Sequence, residues 1–351
     1  KRCIPGMFDE SPFNPLEEGR SAFAIQGINI MGAGPSLPAG ASGATPKIPI
    51  KWESEGFNNT FVELAPNMWS ASYKHKPGSM AIMPLINNRQ YAFRVKGEDG
   101  TEELLLFGVP GKGSFGLNDK CPTEVARDFA ASLGLPIKRI LCQGGLHVMF
   151  LENWLEAFPD AKLFVPGDRA PNTGSGKKAI EKYGRERIID LPKHGFPELK
   201  GVVEFFQFQG LIIHADIPMP EERGDKKQVK MSGMPAMMGK LKPVEPHDEV
   251  FAFVPSVKLM IGGDNVAWYF PKGAKVPMMF KMTGNKAGCL CCARSDVMAI
   301  GNKEQLEADC KFVLSQDFDQ YVGFHELPGV ACLVDAKAYL QAGMRKVKWM
   351  S

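Results

Sequence analysis

The order of predicted elements indicates an α/β protein of the αββα sandwich class, with largely antiparallel sheets. Three observations carry this prediction: two β-hairpin patterns, alternating strand and helix patterns between them, and further helical patterns after the second hairpin. Each sheet of such a sandwich buries one face against the other sheet and one face under helices.

The first hairpin joins the apolar runs QYAFRVKG and ELLLFGVPG through the turn signal GEDG. Residues 121–134 predict a helix, because Pro122 stands near the start, apolar residues recur at helical spacing and Gly134 follows the end. Four segments then predict strand, helix, strand and helix in turn: IKRILCQ, HVMFLENWLEAFP, AKLFVPG and SGKKAIEKYG.

The second half of the chain again combines predicted strands, a hairpin and helices. VVEFFQFQGLIIHA predicts one or two strands, and DEVFAFVPSVKLMIGGD predicts a hairpin with PSVK as its turn. NKEQLEADCKFVLSQD predicts an amphipathic helix, QYVGFHE a strand and VDAKAYLQAGMRK a closing helix.

Residues 1–60 differ from the remaining residues, 61–351, which we predict to form the globular domain. The stretch MGAGPSLPAGASGATPKIPIKW is rich in Gly, Pro, Ala and Ser and has no periodicity, which predicts an extended N-terminal arm. Ordering a chain costs about 1–2 kcal/mol per residue, so either the globular domain or a neighbouring subunit has to hold such an arm.

Composition excludes several functional classes. Lys and Arg number 42 against 39 Asp and Glu, so no strongly basic surface favours nucleic acid as a partner. No apolar run approaches the roughly 18–20 residues of a membrane-spanning helix, so we expect no transmembrane segment. The eight cysteines are scattered, which favours a reducing compartment. The absence of an initiator Met is consistent with a processed protein.

Two motifs favour ordinary structure over cofactor or metal binding. Gly111–Gly116 fits G-x-G-x-x-G, but no helix opens on its last glycine and no acidic residue ends the next strand, so we expect no bound dinucleotide. Cys289, Cys291 and Cys292 lack the C-x-x-C spacing of a metal site, and adjacent side chains point in different directions. We therefore interpret them as ordinary thiols.

Three of the six histidines fall at predicted strand-to-loop edges: His147, His247 and His325. Asp264 follows the second hairpin in the same way. A single such histidine is more often a hydrogen-bonded structural residue than a ligand, so a site requires several of them to converge.

The order of elements from about Phe61 to Arg345 resembles the metallo-β-lactamase superfamily, and within it a branch of unknown function found in cyanobacteria, proteobacteria, plants and algae. The pieces that carry the resemblance are ELAPNMWSAS, NNRQYAFRV, LHVMFLENWLEAFPDAKLFVPG, DEVFAFVPSVKLMIGGD and DFDQYVGFHELPG with DAKAYL. The resemblance implies an αββα fold and a metal motif, His-x-His-x-Asp-His, in the loop after IKRIL.

In this sequence the motif positions are Gln143, Gly145, His147 and Val148, so the resemblance implies that the first metal site is lost. Its remaining histidine would fall near Glu245–His247. The second site maps onto His147, Asp264 and His325. These three side chains are all suitable ligands for a single Zn or Fe ion, with a water in the open position.

The resemblance and the eroded motif lead to one expectation and two alternatives. We expect a non-catalytic, degenerate protein with no cofactor, acting as a structural or accessory subunit of a larger plastid photosynthetic complex and contacting its protein partners through the N-terminal arm; a mitochondrial complex is the alternative location. The first alternative function is a mononuclear metal-dependent hydrolase or oxygen-handling enzyme using His147, Asp264 and His325. The second is a ligand-binding module whose cleft has aromatic walls from Trp154, Trp268, Tyr269 and Phe270.

Overall fold

The computed structural model describes residues 60–75, 86–111, 114–115, 120–167, 174–214, 243–263, 266–270, 272–273, 276, 281, 285–292, 298–325 and 333–351. All of the predicted N-terminal arm except Thr60 lies outside these ranges. Its extent and its contacts therefore remain predictions.

The first sheet has the strand order β1-β2-β3-β4-β6-β7-β8, with β5 beside β2. Its strands are β1 Val62–Ala65, β2 Met68–His75, β3 Ile86–Lys96, β4 Glu102–Phe107, β5 Ser114–Phe115, β6 Ile137–Leu141, β7 Lys162–Val165 and β8 Ile188–Asp190. Neighbours are antiparallel from β1 to β4 and parallel from β4 to β8. This sheet is therefore mixed, because helical crossovers join its last four strands and return the chain in the same direction.

Three helices lie in these crossovers: α1 Pro122–Leu133, α2 Leu151–Ala157 and α3 Gly174–Tyr183. Helix α1 matches its sequence signals, since Pro122 opens it and Gly134 closes it in the left-handed conformation. The predicted helix after β6 instead begins as a 3-10 segment, Gly145–Phe150, and becomes α-helical only at Leu151.

The second sheet has the order β14-β9-β10-β11-β15-β16. Its strands are β9 Glu204–His214, β10 Pro243–Val254, β11 Leu259–Ile261, β14 Met298–Ile300, β15 Gln320–Val322 and β16 Leu333–Val334. All neighbours are antiparallel except β11 and β15. Strands β12 Ala267–Phe270 and β13 Cys289–Cys292 form a separate pair, and the last two helices are α4 Lys303–Ser315 and α5 Ala336–Lys346.

Three hydrophobic cores separate four layers. The central core lies between the sheets and includes Phe107 and Phe205, whose ring centroids are 5.2 Å apart. A second core, containing Trp154, joins the first sheet to α1, α2 and α3. A third, containing Cys310 and Leu340, joins the second sheet to α4 and α5. These layers confirm the predicted αββα architecture. The prediction of largely antiparallel sheets is wrong for the first sheet, whose strands β4, β6, β7 and β8 pair in parallel.

Among the helices in the described ranges, none is both long and apolar enough to cross a membrane.

Candidate functional site

The loop that follows β6, residues Cys142–Phe150, lies where the first sheet meets the second. The Val250 N–H of β10 donates to the Gln143 carbonyl at 2.9 Å, and Gly144 forms an antiparallel bridge with Glu249. We call this segment the β6 loop. Its backbone bonds to β10 bring side chains of both sheets to one edge of the sandwich.

Gln143 is the polar centre of the β6 loop and is fully buried. The Val109 N–H donates to Gln143 Oε1 at 2.9 Å, and Gln143 Nε2 lies 2.9 Å from His147 Nδ1. The backbone donor fixes the orientation of the amide, so its NH₂ group must face His147. Nδ1 of His147 is then a hydrogen-bond acceptor, and the proton of the neutral imidazole resides on Nε2.

The same Nδ1 lies 3.3 Å from the Val109 carbonyl, which would favour the opposite tautomer. That contact is longer than an ordinary N–H···O bond, whereas the bond from Gln143 has ordinary length. The shorter of the two contacts therefore favours the tautomer with the proton on Nε2.

His325 lies beside His147. Both side chains are buried, and their ring centroids are 5.8 Å apart with an interplanar angle of 27°. The segment before His325 is bound to β3, because the Arg89 N–H donates to the Phe324 carbonyl at 3.0 Å and the Tyr91 hydroxyl donates to the Gly323 carbonyl at 2.7 Å. The structure thus brings together two of the three residues predicted for a single metal ion.

Asp264, the third predicted ligand, lies outside the described residues, so that metal site remains a prediction. Within the described ranges, no group of three His, Cys, Asp or Glu side chains is arranged to hold a metal ion. Gly145 offers no ligand, and Val148 is a buried apolar side chain. The described residues therefore do not fit the two-metal set that the resemblance implies.

β10 carries a buried pair, His247 and Glu249, of which only His247 was predicted from the sequence. His247 Nε2 lies 2.5 Å from Glu249 Oε1, and both side chains are almost completely enclosed. Glu249 Oε2 accepts the Val266 N–H at 3.1 Å. His247 was predicted as an edge residue, but it lies within β10, and Glu249 was missed. The spacing of two residues along a strand was the available signal, since such residues share a face.

The predicted aromatic cleft wall is wrong. Trp154 belongs to the core beneath α1, α2 and α3, where its indole N–H donates to the Pro110 carbonyl at 3.1 Å. Trp268 and Phe270 belong to the core under α4 and α5, with Tyr269 packed against it. These side chains lie in different layers because each helix–sheet interface buries its own apolar residues, so they do not form one wall.

The cysteine cluster occupies β13. Cys292 is buried, Cys289 and Cys291 are half-buried, and none of the three forms a disulfide. Burial raises the pKa of the Cys291 and Cys292 thiols. Burial alternates along β13, so the adjacent Cys291 and Cys292 lie on opposite faces of the strand, as expected for adjacent side chains.

No protein-family model matches the sequence, and a search among curated proteins gives no sequence relative. Solved structures with a similar fold include the metallo-β-lactamase FIM-1 of Pseudomonas aeruginosa in its mono-zinc form, at 11% identity and TM-score 0.44 over 82% of this chain and 96% of that chain.

Two further examples give the same result. A metallo-β-lactamase from Pontibacter korlensis has 12% identity and TM-score 0.44 over 82% of this chain and 98% of its own. The Flv1 flavodiiron core of a Synechocystis species has 10% identity and TM-score 0.44 over 83% of this chain and 60% of its own. At these identities and TM-scores the likeness is a limited one of fold, and it carries no conclusion about family or activity.

Proposed function

We propose that this chain is a non-catalytic member of the metallo-β-lactamase-like fold that acts as a structural or accessory subunit of a larger protein assembly. The observation that carries the proposal is the hydrogen bond from Gln143 to His147 Nδ1. It places the imidazole proton on Nε2, the nitrogen that would otherwise remain available to a cation beside His325. A nitrogen that bears a proton has no lone pair for a metal.

The chemistry of hydrolysis supports the same proposal. Water attacks at neutral pH when a metal lowers its pKa to about 7, or when a general base removes its proton. Glu152 is the nearest acidic residue along the chain after the β6 loop, but it is partly exposed on α2, with one oxygen 3.8 Å from Lys182 Nζ. Glu152 therefore supplies no buried base. The buried carboxylate beside the β6 loop, Glu249, already has a hydrogen-bond partner at each oxygen.

The finer part of the proposal rests on the sequence resemblance alone. Its pieces resemble a branch found in cyanobacteria, proteobacteria, plants and algae, so we propose a plastid location and a photosynthetic complex, with a mitochondrial complex as the alternative. We further propose that the N-terminal arm, residues 1–60, contacts the neighbouring subunits.

Metal analysis of protein purified without chelator tests the absence of catalysis. We expect no stoichiometric Zn or Fe in the wild-type chain, in His325→Ala or in His194→Ala, which removes an exposed histidine that packs on Phe312. A full equivalent of metal that is lost in His325→Ala but kept in His194→Ala would contradict the proposal.

The assembly role has its own test. Size analysis of native plastid extract, detected with an antibody, should place the chain in a particle much larger than its own 38.5 kDa. A free monomer would contradict the assembly role whatever the metal content.

One observation favours a second candidate, a mononuclear metal-dependent enzyme. His147 and His325 are close enough for both rings to approach a common ion, with Asp264 as the predicted third ligand. This candidate requires His147 to shift its proton to Nδ1. The metal analysis above separates the two candidates.

A further inference from the structure

The carboxylate of Glu249, on β10, contacts Val266, which follows β11. Its Oε1 lies 2.5 Å from His247 Nε2 on β10, and its Oε2 accepts the Val266 N–H at 3.1 Å from the segment between β11 and β12. The carboxylate is completely buried. A buried carboxylate is costly unless hydrogen bonds satisfy its oxygens, and here both oxygens have a partner.

Gly263 shows that the protein makes room for this carboxylate. A Cβ atom built on Gly263 would overlap Glu249 Oε2 and would lie 3.0 Å from Glu249 Cβ. The backbone of Gly263 is outside the left-handed region, so its conformation does not require glycine. The absence of a side chain at Gly263 therefore leaves the space that the Glu249 carboxylate occupies, and we call Gly263 the seat of this carboxylate.

The position of Glu249 connects this contact to the β6 loop. Its backbone forms the bridge to Gly144, while its neighbour Val250 donates to the Gln143 carbonyl. Glu249 thus links its own strand, β10, to two other places in the fold. Its backbone contacts the β6 loop, and its side chain contacts Val266.

From this geometry we infer that Glu249 is an internal cross-link that fixes Val266, the residue before β12, to β10 by hydrogen bonding, without a bound cation. The cross-link consists of His247, Glu249 and Val266, with Gly263 as its seat. This inference goes beyond the proposed function, because it concerns how this edge of the fold is held rather than what the chain assembles with.

A double-mutant cycle between Glu249 and Gly263 tests the seat. Gly263→Ala in the wild-type chain should lower the thermal midpoint by about 5 °C, because the new methyl group overlaps the carboxylate. In the Glu249→Ala background the carboxylate is gone, so the same substitution should cost clearly less. An equal loss in both backgrounds would overturn the inference.

A second arm tests the hydrogen bonds. Glu249→Met keeps most of the side-chain volume but removes both acceptors, and should lower the midpoint by about 5–10 °C. The control is Glu102→Met, which removes a carboxylate from an exposed ion pair with Arg94 and should leave the midpoint unchanged. If Glu249→Met gives no folded protein, Glu249→Gln, which keeps one acceptor, takes its place with a smaller expected loss. Equal midpoints for the Glu249 and Glu102 variants would overturn the inference.

A third arm tests whether a cation does this work instead. Incubation of the wild-type chain with EDTA should leave its midpoint unchanged, and added Zn²⁺ should not raise it. A fall in EDTA as large as that of Glu249→Met would overturn the cross-link. The proposed function fails separately, through stoichiometric metal lost in His325→Ala or through a free monomer in native extract.

Discussion

Replacing Gln143 by methionine tests the physical basis of the candidate site. Methionine has a similar length and fills the same buried space, but it cannot accept the Val109 N–H or donate to His147 Nδ1. The change therefore removes two hydrogen bonds of 2.9 Å each while disturbing packing little.

The expected loss follows from what each former partner can do next. The Val109 N–H is left buried without its acceptor, which costs about 1–3 kcal/mol. His147 has an alternative, since its proton can move to Nδ1 and face the Val109 carbonyl at 3.3 Å. We therefore expect a total loss of about 2–3 kcal/mol in the free energy of unfolding, or a midpoint lower by roughly 3–5 °C.

Urea unfolding measures the stability, and long-range ¹H–¹⁵N correlation spectra of the histidine rings report the tautomer. The wild-type His147 should carry its proton on Nε2, and Gln143→Met should shift it toward Nδ1. Gln320→Met is the control, because this buried amide donates to the Val257 carbonyl at 2.7 Å on another part of the second sheet. It should lower stability by about 1 kcal/mol and leave the tautomer unchanged.

A wild-type spectrum with the proton on Nδ1 would refute the reasoning. So would a Gln143→Met variant within about 0.5 kcal/mol of the wild-type stability, since that is the usual range for a substitution away from any buried partner.

Three further predictions concern stability. Burial raises the pKa of Cys310 to about 12, whereas an unfolded thiol ionises near about 8.5. Above about pH 8.5 this thiol should therefore lower the free energy of unfolding by about 1.4 kcal/mol per pH unit. Urea unfolding between pH 8 and 10 should show a smaller slope for Cys310→Ala than for the wild type, and equal slopes would contradict the prediction. Glu103→Gln should lose about 1–3 kcal/mol by chemical denaturation, because it removes the charge of one of the two carboxylates that lie 2.5 Å from the buried Arg139 guanidinium, the other being Glu198. Glu102→Gln on the neighbouring exposed pair should lose far less. Asn302 is the N-cap of α4, and its side chain accepts the Gln305 N–H at 3.0 Å. Asn302→Ala should lower the free energy of unfolding measured by calorimetry by about 1 kcal/mol. An unchanged free energy would contradict the prediction.

Much of the fold was predictable because its signals are local. The two hairpins and the long helices are marked by turn residues, caps and periodicity, as Pro122 and Gly134 mark the ends of α1. Strands β1 and β2 were missed, since their connection at Pro66 and Asn67 interrupts a short and irregular pattern. The parallel order of β4, β6, β7 and β8 is a property of pairing between distant segments, which alternation within one strand does not encode.

The candidate site divides in the same way. The proximity of His147 and His325 was implied by the resemblance to metallo-β-lactamases, and the structure places their rings side by side. The hydrogen-bond partners that orient the buried side chains of the site could not be predicted from the sequence, because these partners include backbone groups. Gln143 is oriented by the Val109 N–H and Glu249 by the Val266 N–H, and every residue but proline carries such a donor.

The two buried pairs show how protein groups satisfy one ring nitrogen of each of two buried imidazoles. An imidazole enclosed in protein needs a partner for each ring nitrogen, and a cation is one way of supplying it. Here an amide supplies it for His147 and a carboxylate for His247. The Gln143 carbonyl and the Glu249 backbone also join the two pairs through the bonds between the β6 loop and β10. Substituting Gln143 should therefore disturb the Glu249 cross-link, and a double-mutant cycle between these residues should give a non-zero coupling energy, whereas two independent remnants of a lost site would give simple additivity.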